Sequence, residues 1–309
     1  MPMKDAVWVN FSTNNAYASI AMPELPEVET IVRSLRNPIS YSYAPNQTNY
    51  QRPGVVGRMI SGAQVNWARS LAAPDLLTFT ARIGGQSIRQ VERRGKFLVF
   101  SLDRDAMLIH LRMSGMIRVE PQDAALDQLH DRVILNFLDD MRMVFNDTRK
   151  FGRLWLVENP AIILRDLGPE PLDADLDESL FYSMLQMHRT TIKSLLLNQR
   201  FIAGLGNIYT DEALHLAGIH PLQNANTLSA HKAGELLHAI RTVLEEGIRK
   251  NGTSIDWIYR GGDFQNHLRV YQRTGQPCYV CGTLIERITI GQRGSHFCPQ
   301  CQPLHPSKL

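Results

Sequence analysis

Cys278-Tyr279-Val280-Cys281 and, after sixteen intervening residues, Cys298-Pro299-Gln300-Cys301 contain every cysteine of this 309-residue chain. Two Cys-x-x-Cys pairs separated by a hairpin's length of chain can wrap one tetrahedral Zn²⁺ through four thiolates. The alternatives are four reduced thiols or, in an exported protein, two disulfides. The flanks favour metal: Pro277 and Gly282 bracket the first pair, and Pro299 lies inside the second. Four protein ligands leave the ion no open position, so this zinc is structural. The chemistry must therefore come from other parts of the chain.

Upstream of this ribbon (residues 270–303), residues 178–250 carry helical periodicity. Ser229 is placed as the N-cap of the last helix, and Asn251-Gly252 closes it. Gly168-Pro169-Glu170-Pro171-Leu172 reads as a rigid connector within 160–177. From about 58 to 157, short strand-type runs recur between turn residues: LLTFTARI, KFLVFSL, MLIHLRM, RVILNFL, MRMVFN and RLWLVE. That density predicts an antiparallel β-sandwich. Val28, Ile31, Val32 and Leu35 are spaced for a helix over 27–36, and Pro38 to Gly57 reads as a loop.

Composition sets outer limits. Hydrophobic content of 44% and charged content of 20% fit a soluble globular protein. The chain is long enough for two domains and a small module. No apolar run reaches 18 residues, so no membrane-spanning segment is expected. Residues 1–21 are interrupted by Asn10, Ser12, Thr13, Asn14 and Asn15 and make a poor secretory signal. The net charge is only +3, but Arg89, Arg93, Arg94 and Lys96 crowd one stretch, and Arg142, Arg149, Lys150 and Arg153 another. Such clusters suit a phosphate backbone; the alternative is ordinary solvated faces.

The stretch Met22-Pro23-Glu24-Leu25-Pro26-Glu27-Val28-Glu29-Thr30 resembles the amino terminus of the bacterial formamidopyrimidine-DNA glycosylases. Further motifs follow in the family's order: Arg94-Gly95-Lys96, His110 to Gly115, Asp147 to Gly152, Gly206-Asn207-Ile208-Tyr209, and the four cysteines. The resemblance runs from residue 22 to the ribbon. It implies an α+β multidomain protein: an N-terminal antiparallel β-sandwich at 23–158, a helix-two-turns-helix domain at 173–260 and the zinc ribbon at 270–303. Residues 1–22 would be an extension or a mis-assigned start.

The implied activity is base excision of oxidised purines such as 8-oxoguanine and formamidopyrimidines, followed by AP lyase cleavage on both sides of the sugar. A proline at a free chain terminus is a secondary amine, and such α-amino groups are partly unprotonated at neutral pH. It can attack C1′ of a deoxyribose and form an iminium. The resemblance assigns this role to Pro23 and makes Glu24 the proton donor and acceptor at the sugar. Without it, Pro-Glu would read as an ordinary helix start. It further implies Lys96 as a proton donor in strand cleavage and Arg293 as the arginine that grips lesion phosphates. His130, Arg149, Arg189, Lys193 and Asn207 are expected at the DNA. Met113, Arg149 and Phe151 would fill the gap left by an extruded nucleotide. Pattern alone would place Met113 and Phe151 in the core. Glu27 and Glu212 are expected as supporting carboxylates, Glu212 near the proline.

Expected partners are damaged double-stranded DNA and one structural Zn²⁺, with no membrane; the protein is expected to be a monomer in the bacterial cytoplasm, held to the nucleoid by DNA. An endonuclease VIII-like enzyme for oxidised pyrimidines is the nearest rival, although Leu25-Pro26 favours the purine branch. A non-catalytic zinc-ribbon DNA-binding protein is the other rival. Three departures stand out. Met22 is preceded by 21 residues, Ser40 to Gly54 looks inserted, and the family's lesion-recognition loop falls in a compact 253–267 stretch. As written, Pro23 is an internal amide. The expectation is that translation begins at Met22; processing is the second possibility and an inactive variant the third. A chain beginning at Met22 and relieved of that methionine should therefore be trapped by borohydride on 8-oxoguanine duplex. The unprocessed 309-residue chain should not be trapped. Equal trapping by both, with intact masses verified, would remove Pro23 from the role.

Overall fold

The computed structural model describes residues 22–37, 39–41, 50–52, 54–253 and 262–304. The expectations for residues 1–21, for most of the 40–54 insertion and for 254–261 lie outside the described residues. Helix α1 (Leu25–Arg36) begins two residues earlier than its apolar spacing alone suggested, with Pro26 in its first turn and Glu27 accepting from Glu24 N. Two short strands, β1 (Ile39–Tyr41) and β2 (Tyr50–Arg52), pair antiparallel where the sequence read as loop.

Two sheets then form the sandwich. One has the order β3 (Ile60–Val65), β9 (Asp131–Phe137), β10 (Met141–Asp147), β8 (Gly115–Pro121). The other runs β4 (Leu71–Ala73), β11 (Arg153–Val157), β7 (Ala106–His110), β6 (Phe97–Ser101), β5 (Gln90–Arg94). The pairing is antiparallel except between β11 and β4, which are parallel. Phe79, Phe100, Phe137 and Phe145 fill the core with Leu98, Met107 and Ile109. Each buried phenyl contributes about 2 kcal/mol of transfer free energy.

One expected strand is a helix. LLTFTARI forms α2 (Leu76–Ile83), capped by Asp75, whose carboxylate accepts from Thr78 N at 3.1 Å. Phe79 and Ile83 are fully buried while Leu77 is 79% exposed. The run reads as strand-type among its neighbours, but the i, i+4 pair Phe79 and Ile83 faces the core, and the Asp75 cap starts a helix instead.

After β11, a short helix α3 (Ala161–Leu164) and a connector lead to α4 (Glu178–Gln186), α5 (Ile192–Leu196), α6 (Asn207–Leu216) and α7 (Ala230–Arg249). Ser229 caps α7 as expected, accepting from Lys232 N at 3.2 Å, and Asn251 and Gly252 end it at positive φ. The ribbon is a hairpin, β12 (Glu286–Ile290) and β13 (Arg293–Phe297). Its two-residue turn, Gly291-Gln292, has positive φ at both positions, as a tight hairpin demands.

α1 ties the two large cores together. Val28, Ile31, Val32 and Leu35 belong to the sandwich core, whereas Leu25 belongs to the helical one. The connector adds a polar tie. The Glu170 carboxylate accepts from Gly95 N at 2.5 Å, Arg94 Nη1 at 3.0 Å and Arg93 Nη1 at 2.6 Å. Arg94 also donates to Gly168 O, and Arg93 to Glu29. Glu170→Ala would remove the acceptor shared by two guanidinium groups and an amide in a largely buried place. We expect a loss of about 3 kcal/mol, read from denaturant unfolding; a loss within the range of an exposed ion pair would show the tie to be dispensable.

Candidate active site

Glu24 lies where α1 meets α6. Its side chain is nearly inaccessible, and its carboxylate accepts from Gly206 N (2.7 Å), Ile208 N (2.9 Å) and Tyr209 N (3.3 Å). These are first-turn amides of α6, which have no partner within the helix. The approach requires glycine: a Cβ on Gly206 would sit 2.3 Å from Glu24 Cδ. Gly204 has φ +92°, its carbonyl accepts from Leu25 N at 3.0 Å, and a Cβ there would meet Leu25 Cδ1 at 2.7 Å.

Glu27 closes the same junction. Its carboxylate accepts from Glu24 N (2.9 Å), the Tyr209 hydroxyl (2.9 Å), Thr253 N (2.7 Å) and the Thr253 hydroxyl (3.1 Å). Pro23 therefore precedes a residue held on both its backbone and its side chain. Burial pushes the Glu24 carboxyl up to about 7; Lys96 and the α6 amides pull the other way, and Glu27 adds to the rise.

Lys96 follows the Gly95 turn at the head of β6 and is buried. Burial holds its ammonium below the usual lysine range; the charge of Glu24 opposes this and Arg293 reinforces it. Lys96 thus lies within electrostatic reach of both Glu24 and Arg293, although the three come from the start of α1, the head of β6 and β13. Arg293 is exposed, directly after the hairpin turn.

A second group of expected residues forms one loop pair at the sandwich surface. Asp147, fully buried, accepts from Gly152 N (2.7 Å) and Arg149 N (3.2 Å) and from the Ser114 hydroxyl. Ser114 in turn accepts from Arg149 N at 3.1 Å. His110 Nδ1 accepts from Arg112 N at 3.0 Å, and Arg112 has φ 55°. Met113, Arg149 and Phe151 are thereby carried on two locked turns. Phe151 is 48% exposed, which excludes the core placement that pattern alone favoured. The Arg149 guanidinium lies 5.1 Å from its ring centroid. His130 is half-buried with Nδ1 2.8 Å from Asp127 Oδ2, and Arg189 is exposed on the helical domain.

Three expected groups have protein partners. Lys193 is fully buried and donates to Asp211 Oδ1 at 2.6 Å and to Asn207 O at 3.2 Å, bracing α6, and it feels the charges of Glu24 and Arg293. Glu212 accepts from Arg269 N (2.7 Å), Val270 N (2.9 Å) and Tyr271 N (2.9 Å) and anchors the entry to the ribbon. Most of the arginines grouped as a phosphate-binding surface have protein partners: Arg89 with Asp103, Arg93 and Arg94 with Glu170, Arg142 with Glu120. Asn207 Nδ2 donates to Gly294 O at 2.9 Å, beside Arg293. Sequence reading missed Asp147, Ser114 and Glu170, although all three stood inside the quoted motifs; a charged or hydroxyl residue next to a glycine turn was the available signal.

The four cysteine sulfurs all lie within 4.8 Å of one another. A tetrahedron of sulfurs about 2.3 Å from zinc has edges of roughly 3.8 Å, so the set fits the ion. Val280 N and Cys301 N donate to Cys278 Sγ and Cys298 Sγ, each at 3.4 Å, as amides do to thiolates.

Comparison with known proteins gives a consistent result. The chain matches the Formamidopyrimidine-DNA glycosylase N-terminal domain over residues 46–154, the Formamidopyrimidine-DNA glycosylase H2TH domain over 167–258 and the Zinc finger found in FPG and IleRS over 275–304. It is 43% identical to the formamidopyrimidine-DNA glycosylase of Chloroflexus aggregans, covering 92% of this chain and 99% of the relative. It is also similar to a Lactococcus lactis enzyme of that name bound to DNA containing Fapy-dG, with TM-score 0.81, 35% identity and coverage of 91% and 100%. The same enzyme non-covalently bound to DNA with an AP site aligns at TM-score 0.80 and 35% identity, covering 91% and 99%.

The raised Glu24 carboxyl has a pH signature. Between its ordinary value of 4.5 and about 7, the folded chain keeps a proton that the unfolded chain releases. Stability from this group therefore falls as pH rises through that window. Glu24→Gln cannot titrate, so its denaturant midpoint should gain on that of the parent between about pH 5 and pH 8. A difference that stays constant across this range would show that Glu24 titrates normally.

Proposed function

The chain belongs to the formamidopyrimidine-DNA glycosylase family, and on that premise we propose that it removes oxidised purines from duplex DNA and cleaves the resulting abasic strand. The observation that carries the reading is the junction itself: Glu24, a buried carboxyl able to hold a proton at neutral pH, follows Pro23 and interacts with Lys96, which in turn feels the charge of Arg293. The family's domains cover the sandwich, the helical region and the ribbon in order. The protein acts as a monomer in the cytoplasm, with DNA in the cleft between the sandwich and the helical domain.

The chemistry begins once Pro23 is exposed as a secondary amine. Its nitrogen lone pair attacks C1′, the glycosidic bond breaks toward the base, and the base leaves with a proton. Glu24 supplies and then recovers protons at the sugar. The nitrogen's remaining proton is lost as the ring opens, leaving an iminium at C1′ that draws electrons from C2′. Loss of the C2′ proton expels the 3′ phosphate, and a second elimination expels the 5′ phosphate. Lys96, its ammonium made more acidic by burial, is suited to give a proton during strand cleavage. Arg293 holds the phosphates. Zinc, when bound by Cys278, Cys281, Cys298 and Cys301, supplies rigidity to the hairpin that carries Arg293.

Extrusion of the damaged nucleotide costs a few kcal/mol of lost stacking. Met113, Arg149 and Phe151 fill the space: apolar wedges beside a guanidinium that can hydrogen-bond the orphaned base. His130, Arg189 and Asn207 contact the backbone, while Lys193 and Glu212 hold the scaffold. The name of the curated relatives, formamidopyrimidine-DNA glycosylase, supports the purine reading.

Arg149→Ala and Phe151→Ala should slow excision from 8-oxoguanine duplex by about tenfold or more, while cleavage of a preformed abasic site falls less. Glu24→Gln should abolish most glycosylase activity and leave DNA affinity at one fixed salt concentration intact. Equal losses on both substrates for Arg149→Ala would make that residue a general phosphate or structural contact.

A further inference from the structure

The last turn of α6 presents a histidine to the metal site. His215 is 6% exposed, and its Nε2 lies 3.5 Å from Cys278 Sγ. Its Nδ1 is buried without a hydrogen-bond partner among the described residues. The tautomer follows. A proton on Nδ1 would have no acceptor and would turn the Nε2 lone pair toward a sulfur that carries negative charge. A doubly protonated ring would keep that stranded N–H. Only a neutral ring with its proton on Nε2 satisfies the contact and leaves no donor unpaired.

We propose that His215 belongs to the zinc site, donating Nε2–H to the Cys278 thiolate and thereby fastening the metal to α6. The inference rests on reading the four thiols as a zinc site. Within that site the bond is distinct in kind. Cys278 and Cys298 each receive one amide from the ribbon's own knuckles, whereas His215 reaches Cys278 from another domain. An N–H donor draws charge from a thiolate, making it a poorer nucleophile and a weaker base, and so slows alkylation and proton-assisted loss of the ion. The same helix holds Glu24 at its other end, about 12 Å away along the axis. The metal site and the catalytic carboxylate are thus joined by one rigid element.

The test uses the whole chain loaded with Zn²⁺, Co²⁺ or ¹¹³Cd²⁺. In the ¹¹³Cd form, the His215 Nε2 proton should show scalar coupling to cadmium through the Cys278 sulfur, a readout that needs no variant. In His215→Phe, the sulfur-to-cobalt charge-transfer band should move to longer wavelength. Cys278 should alkylate faster, and zinc affinity should fall roughly tenfold. His215→Gln, which keeps an N–H donor at similar reach, should recover part of each change. Absence of the cadmium coupling together with an unshifted cobalt band in His215→Phe would overturn the bond. A parent chain that binds none of the three metals would overturn the zinc reading and this bond with it.

Discussion

A carboxylate removed from water loses several kcal/mol of solvation unless other dipoles replace it. Glu24 meets this constraint by accepting from the start of α6, whose first amides would otherwise lack partners. Two deficits, one on each element, are resolved by a single contact between residues 182 apart in sequence. The offset is incomplete: burial outweighs the amides, and the carboxyl keeps its proton to about pH 7. The contact that joins the two large domains also bears on the protonation of the carboxyl that we propose takes part in the chemistry.

α6 serves as the frame for much of the molecule. Its first turn holds Glu24. Asp211, one turn on, accepts from Lys193, from the Ser295 hydroxyl at 2.9 Å and from His296 N at 3.0 Å. Glu212 holds the entry to the ribbon through three backbone amides, and burial raises its carboxyl as well. His215 ends the series at Cys278. A short helix with buried polar residues on successive positions cannot be explained by packing alone. Asp211, Glu212 and His215 each contact a segment that belongs to the ribbon or its approach, and the outcome is a fixed place for the hairpin that carries Arg293.

Close backbone approach is the second device. Gly206 admits the Glu24 carboxyl, Gly252 (φ +75°) admits Glu27, and Gly152 lies under the Phe145 ring. In each case the absent Cβ is replaced by a functional or core side chain. The charged clusters follow a similar logic. Arginines that crowd the sequence largely have carboxylate partners within the protein, so crowding in sequence did not by itself mark a surface of free positive charge.

Much was legible in the chain. The cysteine spacing specified the ribbon because tetrahedral coordination needs only local geometry from two knuckles. The Pro23-Glu24 motif, the helical periodicity of 178–250 and the Ser229 cap were readable for the same reason: each depends on residues near one another in sequence. LLTFTARI was misread because a threonine-rich apolar run satisfies both periods, and only the Asp75 cap and the core beneath Phe79 and Ile83 select the helix. Lys193, Glu212 and His215 could not be placed from sequence at all. Whether a charged group or ring nitrogen meets DNA, a carboxylate, an amide or a thiolate depends on partners up to 63 residues away in other elements. Desolvation, which sets the protonation of Glu24 and Lys96, exists only once those elements close over them. The sequence by itself determined which chemical groups this protein owns and the local turns and helices that carry them; the tertiary structure alone decided which groups share a dry, low-dielectric space, because burial and long-range contact are properties of the packed chain.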